Sequence, residues 1–282
     1  MACAPPPKPH DLLWLKRVPR WPDAPDWVTL ALARTPVVVV RRAGAPKGLV
    51  GVGVRGAQRN QRYGALISIA EIERCVSPEM LCPGAPHGAA AASCYALPPR
   101  ELDCDPGLSP TRAGLPVFVA LQGLEPVLRR FRLIWGPTGS AGFELATGVP
   151  TVQPSSDLDL LIRLPEWIGR DTGQSLLGVL STHAAHAGVR IDAQLETPGG
   201  AVSLAEYAGS TRRVLLRSSG EPVMVDDPWA WGAASAGNAD TNTEVGTGLA
   251  KHSRQHAPHA IQAGDAATSL AALHAAPGGE TS

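Results

Sequence analysis

The sequence predicts an α+β fold: a smaller α/β N-terminal domain with its connecting loop over residues 8–114, a larger domain with a mixed sheet over residues 115–232, and a disordered tail over residues 233–282. Three observations carry that expectation. An apolar stretch, Leu133-Ile134-Trp135, runs into a Gly139-Ser140 turn that opens a short helix ended by Gly148. Two later stretches, 157–164 and 189–196, alternate apolar and polar residues at strand period, and a helical stretch with Leu176, Leu177, Val179 and Leu180 crosses between them. Residues 233–282 are mostly Ala, Gly, Ser, Thr, Asn and His, too poor in bulky apolar side chains to offset the entropy of ordering.

Taken in order, the chain starts with a proline-rich segment, and Leu12-Leu13-Trp14-Leu15 begins its ordered part. A helix is predicted over Trp27–Arg34 with Asp26 as its cap, then a strand of four valines over Val37–Arg41. Lys47–Arg62 contains a formal G-x-G-x-x-G at Gly51, Gly53 and Gly56. A dinucleotide site is not inferred from it, because the following chain does not continue in strand-helix-strand units. A helix is predicted from about Ala57 to Arg74, with Arg55, Arg59 and Arg62 at i, i+4 and i+7 on or beside its first turns. Those arginines are either a cationic face for phosphates or an acidic carrier, or a solvated stripe.

Ser77–Gly114 is rich in Pro, Gly, Ala and Cys, and its latter part reads as a connection between domains. Cys82, His87, Cys94 and Cys104 have no zinc-ligand spacing and are read as free. A helix near Val119–Arg130 leads into the strand before Gly139, and Asp171 is the expected cap of the crossover helix. His183 and His186 near its end suit a helix C-terminus without a metal. Pro198-Gly199-Gly200 reads as a turn, Ser203–Ala208 as a short helix, and Arg212–Arg217 with Pro222–Val225 as paired strands. Arg212, Arg213 and Arg217 either reach substrate phosphates or lie on the surface. In the tail, His252, His256 and His259 have helical metal spacing but no expected helix to hold them.

Composition narrows the function classes. Positive and negative residues balance, yet residues 1–62 hold 11 Lys and Arg against three Asp, which favours an anionic partner. Five cysteines without a C-x-x-C pair suit a reduced, cytoplasmic setting. The start lacks the apolar core of a signal peptide, and the longest apolar run, Val28–Val40, is broken by Arg34 and Pro36, so no membrane association is expected. No nucleic-acid partner is expected either, since the basic block lacks interleaved aromatics for base stacking.

The chemistry concentrates between Trp135 and Arg163. A Gly139-Ser140 turn at a helix start aims backbone N–H groups and a hydroxyl at a phosphate. Asp157 and Asp159 share one strand face, a spacing that suits Mg²⁺, a hard cation that takes carboxylate and phosphate oxygens together. Asp192 lies on the polar face of the later strand with Arg190, Gln194 and Glu196. Each feature alone is an ordinary N-cap, strand end or edge-strand charge. Their order, turn then paired carboxylates then single carboxylate, reads as a phosphoryl-transfer site.

Gly-Ser, Asp-Leu-Asp-Leu and a later strand Asp resemble the nucleotidyltransferase superfamily of the DNA polymerase beta type. The longer strings G-S-A-G-F-E-L-A-T-G and S-D-L-D-L-L-I-R look more narrowly like the phosphoribosyl-dephospho-CoA transferases of malonate decarboxylase, also called its holo-acyl-carrier-protein synthases. His10–Trp14, the Val52–Arg62 run and Asp227-Pro228-Trp229 extend the resemblance over roughly residues 8–232. The chain departs from the general superfamily pattern in a longer gap between Ser140 and Asp157.

The resemblance implies transfer of phosphoribosyl-dephospho-CoA from its 5″-triphosphate donor to a serine of the apo acyl carrier subunit of malonate decarboxylase, with loss of pyrophosphate. It implies two Mg²⁺ ions held by Asp157, Asp159 and Asp192, and phosphate contacts from Gly139 and Ser140, with Arg55, Arg59 and Arg62 as further phosphate or carrier contacts. A nucleotidyltransferase that uses ATP is the alternative within enzymes. A non-catalytic module that binds an acidic carrier or RNA is the alternative outside them.

Overall fold

The computed structural model describes residues 6–58, 60–82, 108–210 and 212–231. Its first part is a five-stranded antiparallel sheet in the order β4-β3-β2-β1-β5, formed by β1 (Leu12–Leu15), β2 (Val37–Val40), β3 (Leu49–Arg55), β4 (Arg62–Ser68) and β5 (Ile72–Val76). Strand alternation sorts its residues between two faces. Leu13, Leu15, Val38, Val40, Val50, Val52, Val54 and Ile67 face a core closed by α1 (Asp26–Arg34). Val28 and Leu32 of α1, four residues apart, are each 1% exposed, and burying each contributes about 2 kcal/mol. Asp26 is the first residue of α1, and Pro25 holds the cap position without a side-chain bond, so the expected aspartate cap is corrected to a first-turn charge.

The second part carries α2 (Pro110–Ala113), α3 (Pro116–Arg130), β6 (Ile134–Pro137), α4 (Gly139–Thr147), β7 (Leu158–Arg163), α5 (Arg170–Ala187), β8 (Ile191–Thr197), β9 (Gly200–Ser203) and α6 (Leu204–Gly209), and ends in the hairpin β10 (Val214–Leu216) with β11 (Val223–Val225). Its sheet, β6-β7-β8-β9, is mixed as expected: β7 and β8 run parallel, and both outer pairs are antiparallel. The parallel pair requires the α5 crossover. Leu158, Leu160 and Ile162 of β7 join Phe118, Leu124, Leu128, Leu176 and Leu180 in one core. Asp159, Leu161 and Arg163 therefore point to the opposite face. The residue before α5 is Gly169, with no side-chain cap, and Asp171 sits in the first turn, where its charge complements the helix dipole instead of capping. β9 was not anticipated, because its four residues, Gly-Ala-Val-Ser, are too short and too small to show a period.

A third cluster joins the two sheets. Leu12 and Val37, on the far face of the first sheet, pack with Phe143 of α4, and Trp14, Val39, Leu81, Ala146 and Val149 surround them. Polar contacts reinforce this seam. Arg42 and Glu196 form a two-pronged ion pair, with Arg42 Nη1 2.8 Å from Glu196 Oε1. Arg163 donates to Glu79 at 2.8 Å and to the buried Asp11 at 3.4 Å. Gly136 is required by contact, since a β-carbon there would lie 2.0 Å from the Pro78 carbonyl oxygen.

The helix expected from Ala57 to Arg74 does not form. The chain makes a hairpin instead, with Arg55 paired to Arg62 and Gly53 to Gly64, followed by a short 3₁₀ turn at Ile69–Glu71 and then β5. Helical spacing of Arg55, Arg59 and Arg62 was a coincidence of sequence. Pairing with the Val-Gly-Val-Gly-Val strand and burial of Val54 and Ile67 outweigh any local helical preference. The same hairpin places Gly51 and Gly53 inside an antiparallel strand, in accord with setting aside the dinucleotide reading. Arg59, the connection over 83–107, His87, Cys94, Cys104 and the tail with its histidines lie outside the described residues. Cys75 and Cys82 are free thiols.

Candidate active site

The site is built where β6 ends, β7 begins and β8 begins. β6 delivers the chain to Thr138, which is extended, and Gly139 then turns with φ +59° to start α4. Gly148, also left-handed, closes α4 nine residues later, as the sequence predicted. The Thr138 N–H donates to the Asp159 carbonyl at 2.9 Å, which ties the turn to β7. Ser140 is buried at 8% exposure, and its carbonyl accepts from Thr151 Oγ1 at 2.9 Å.

Asp157 immediately precedes β7, and Asp159 is its second residue. In the parallel register Asp159 stands beside Asp192, so the structure brings together two carboxylates separated by a whole crossover helix. Burial raises the Asp159 pKa, and repulsion from Asp192 and then Asp157 raises it further, while Arg55 and Arg62 of the first sheet act in the opposite direction. The two hairpin arginines thus act on the same carboxylate. Asp192 is paired with its own-strand neighbour Arg190, at 2.9 Å from Nη2 and 3.1 Å from Nε. Among the described residues no three His, Cys, Asp or Glu side chains converge into a metal cage. The donor set is nevertheless the oxygen-rich, mutually repelling kind that a hard divalent cation relieves, with coordination completed by phosphate oxygens of a ligand.

The long segment between Ser140 and Asp157 has a specific anchor that the sequence did not reveal. Glu144, 1% exposed, sits on the inner side of α4 and accepts from the backbone N–H groups of Thr151 at 2.7 Å and Val152 at 2.8 Å. Arg112 of α2 pairs with it through Nε and Nη2, and Nη2 also donates to the Val152 carbonyl at 2.9 Å. Against the cost of burial, these donors hold the Glu144 pKa below its ordinary value. The glutamate of G-F-E-L-A-T-G therefore organises the loop that leads to the carboxylate pair. A second missed contact is His10, a non-glycine residue at φ +73°, whose Nε2 lies 3.1 Å from Gln194 Nε2, two residues beyond Asp192.

Arg212, Arg213 and Arg217 make their contacts elsewhere than at these carboxylates. Arg213 donates to the Met224 carbonyl across the terminal hairpin, the Arg212 carbonyl accepts from Arg170 at 2.9 Å, and the Arg217 backbone bridges to Ala201. His183 Nε2 lies 2.8 Å from the Gly123 carbonyl oxygen, a contact between α5 and α3 that accounts for it without a metal. No helix among the described residues is long and apolar enough to cross a membrane.

Comparison with known proteins covers most of the chain. Residues 8–78 match the phosphoribosyl-dephospho-CoA transferase MdcG N-terminal domain, and residues 108–228 match the C-terminal domain of the same family. A phosphoribosyl-dephospho-CoA transferase of Pseudomonas putida is 44% identical over 225 residues, 79% of this chain and 96% of that protein. Proteins of the same name from Pseudomonas fluorescens and Azotobacter vinelandii are 41% and 40% identical, covering 78% and 79% of this chain and 93% and 94% of their own. No solved structure matches the chain.

Proposed function

The chain belongs to the phosphoribosyl-dephospho-CoA transferase family and is a transferase, and from that premise we propose that it moves phosphoribosyl-dephospho-CoA from a 5″-triphosphate donor to a serine hydroxyl of the apo acyl carrier subunit of malonate decarboxylase. The observation that carries this reading is the contact between the Gly139 turn and Asp159, because it sets a phosphate-binding loop directly on a carboxylate pair. In the reaction the serine Oγ forms a bond to the α-phosphorus, and the bond from that phosphorus to the bridging oxygen breaks. Pyrophosphate leaves with the electron pair.

Gly139 and Ser140 hold the β- and γ-phosphates, where charge grows as the bond breaks. Asp192 takes up the serine proton. Asp157, Asp159 and Asp192 are the residues that would hold Mg²⁺, two ions in all. When bound, Mg²⁺ supplies Lewis-acid stabilisation of the phosphate oxygens and of the incoming serine oxygen. Arg55 and Arg62 act on Asp159 from the first sheet, and there they offset the donor's negative charge. A reduced, cytoplasmic setting fits a reaction partner made inside the cell.

The test is the intact mass of the apo carrier subunit after incubation with the protein, Mg²⁺ and triphosphoribosyl-dephospho-CoA, with ATP in a parallel reaction. A gain equal to phosphoribosyl-dephospho-CoA in the first reaction alone is expected. A gain only with ATP would replace this reading with an ordinary nucleotidyltransferase, and no gain in either from folded protein would replace it with a binding module.

A further inference from the structure

The first sheet presents an uncommon surface toward the second. In β3 the valines at 50, 52 and 54 all point into the α1 core, so Gly51, Gly53 and Arg55 share the opposite face. In β4, Tyr63, Ala65 and Ile67 pack on that same core, which leaves Arg62, Gly64 and the exposed Leu66 on the face of Gly51, Gly53 and Arg55. Register then sets Gly53 directly across from Gly64, and Arg55 across from Arg62. Glycine in strand interiors weakens a sheet and marks a place where something approaches the backbone closely. Here the Gly53–Gly64 pair leaves a shallow gap two strands wide between the Arg55–Arg62 pair and Leu66.

One occupant of that gap is already visible. The exposed Arg41, just beyond β2, lays its side chain across both strands. A β-carbon on Gly64 would lie 2.0 Å from Arg41 Nη1, and one on Gly53 would lie 3.5 Å from Arg41 Cδ. None of the ion pairs among the described residues involves Arg41. Its guanidinium lies over Gly64, two residues along β4 from Arg62. The face is turned toward the candidate active site: Leu12 and Val37 on the same side pack against Phe143 of α4, and Arg55 and Arg62 act on Asp159. Toward the other end of β3, Arg41 and Gly51 border a cleft of about 530 Å³ that extends to the turn at Pro198–Gly200 and to Trp231. From Arg55 to Gly51 is four strand residues, roughly 13 Å.

We propose that the Gly53–Gly64 gap of β3 and β4 is the binding site for the dephospho-CoA part of the donor, with its 5′-diphosphate on Arg41 and its amide-containing arm in the adjoining cleft. The inference rests on the donor named under the proposed function. A diphosphate matches a planar guanidinium fork. With Arg41 lying low over Gly53 and Gly64, a diphosphate can settle on its guanidinium while the reactive triphosphate remains at the Arg55, Arg62 and Asp159 end. The site also gives the first sheet a defined task in a reaction whose carboxylates all lie on the second.

The experiment is calorimetric titration of the full chain with 3′-dephospho-CoA, run beside the intact-mass transfer assay. Arg41→Ala should raise the dissociation constant about tenfold or more, as loss of a charge-assisted two-point contact does. Gly64→Val, which puts a side chain where Arg41 Nη1 now lies, should do the same in a protein with native thermal unfolding. Arg41→Lys, which keeps charge without the fork, should recover only part of the affinity. If Arg41→Ala folds and binds dephospho-CoA within twofold of the native chain, the site is wrong, and native transfer in the parallel assay would leave the proposed function standing. If the native chain binds dephospho-CoA in an Arg41-dependent way but modifies no carrier, the site holds and the acceptor reading fails. If Arg41→Ala weakens binding of the carrier subunit and not of dephospho-CoA, the face belongs to the protein acceptor and the proposal is overturned.

Discussion

A β-carbon on Gly139 would lie 2.0 Å from Oδ2 of Asp159. The Gly139 turn and the carboxylate strand are thus in direct contact, and glycine is demanded twice at this position, once by its φ of +59° and once by the carboxylate. Gly139→Ala should cost about 1–2 kcal/mol from the left-handed backbone alone. Displacement of Asp159 should add a loss of transfer of about 100-fold or more, because sub-ångström placement governs such reactions. Thermal unfolding with single-turnover kinetics checks both parts, and native turnover in the alanine variant would remove Gly139 from the site.

Neutralising a carboxylate separates chemistry from folding. Burial and two neighbouring aspartates disfavour the charged form of Asp159, so Asp159→Asn should be at least as stable as the native protein in metal-free buffer while transfer is lost. Asp157→Asn should lose transfer in the same way. An amide cannot replace a charged oxygen ligand. Circular dichroism melts paired with the intact-mass assay make the comparison, and near-native turnover in either folded variant would reject the carboxylate assignment.

Glu144 should behave as a positioning residue. With the buried carboxylate gone, the N–H groups of Thr151 and Val152 and the Arg112 guanidinium lose their shared partner. Glu144→Ala should cost about 3–5 kcal/mol, the range for breaking one side of a buried ion pair. Glu144→Gln should restore part of the stability because one amide oxygen still accepts. Urea denaturation measures this, and a loss below about 1 kcal/mol for the alanine variant would show that the loop is held by other contacts.

The seam between the sheets should respond to pH through Asp11. Burial pushes its carboxyl up to about 6 despite the Lys8 N–H, Arg163 and Cys75 contacts. A pKa raised in the folded state means that the stabilisation is fully present below the unfolded value of 3.8 and is lost as pH rises through about 6. Native protein should therefore lose about 1 kcal/mol between pH 5 and pH 7.5 that Asp11→Asn does not lose. Parallel urea curves at the two pH values decide it, and equal pH slopes for both proteins would show that Asp11 does not titrate in this range.

What could be read from the sequence was local. The Gly139-Ser140 turn, the Gly148 stop, the alternating strand at Asp159 and the composition of the N-terminal block depend on neighbours within a few residues, and their order along the chain sufficed to suggest phosphoryl transfer. Local reasoning failed at Ala57–Arg74, where an arginine spacing compatible with a helix belongs to a hairpin. It also missed Glu144, since nothing in G-F-E-L-A-T-G shows that its carboxylate will meet backbone donors at Thr151 and Val152.

By itself, then, the sequence determined the identity and order of the turn, the three aspartates and the mixed-sheet crossover, because backbone conformation and periodicity are set by adjacent residues. Only the tertiary structure decided that Asp159 stands beside Asp192, that Arg55 and Arg62 act on Asp159 from another sheet, and that Gly53 and Gly64 pair beneath Arg41. Those relationships follow from strand register and from burial of two distant apolar faces, Leu12 and Val37 against Phe143. Their free energy comes from contacts between segments far apart in the chain, which no short window of residues contains.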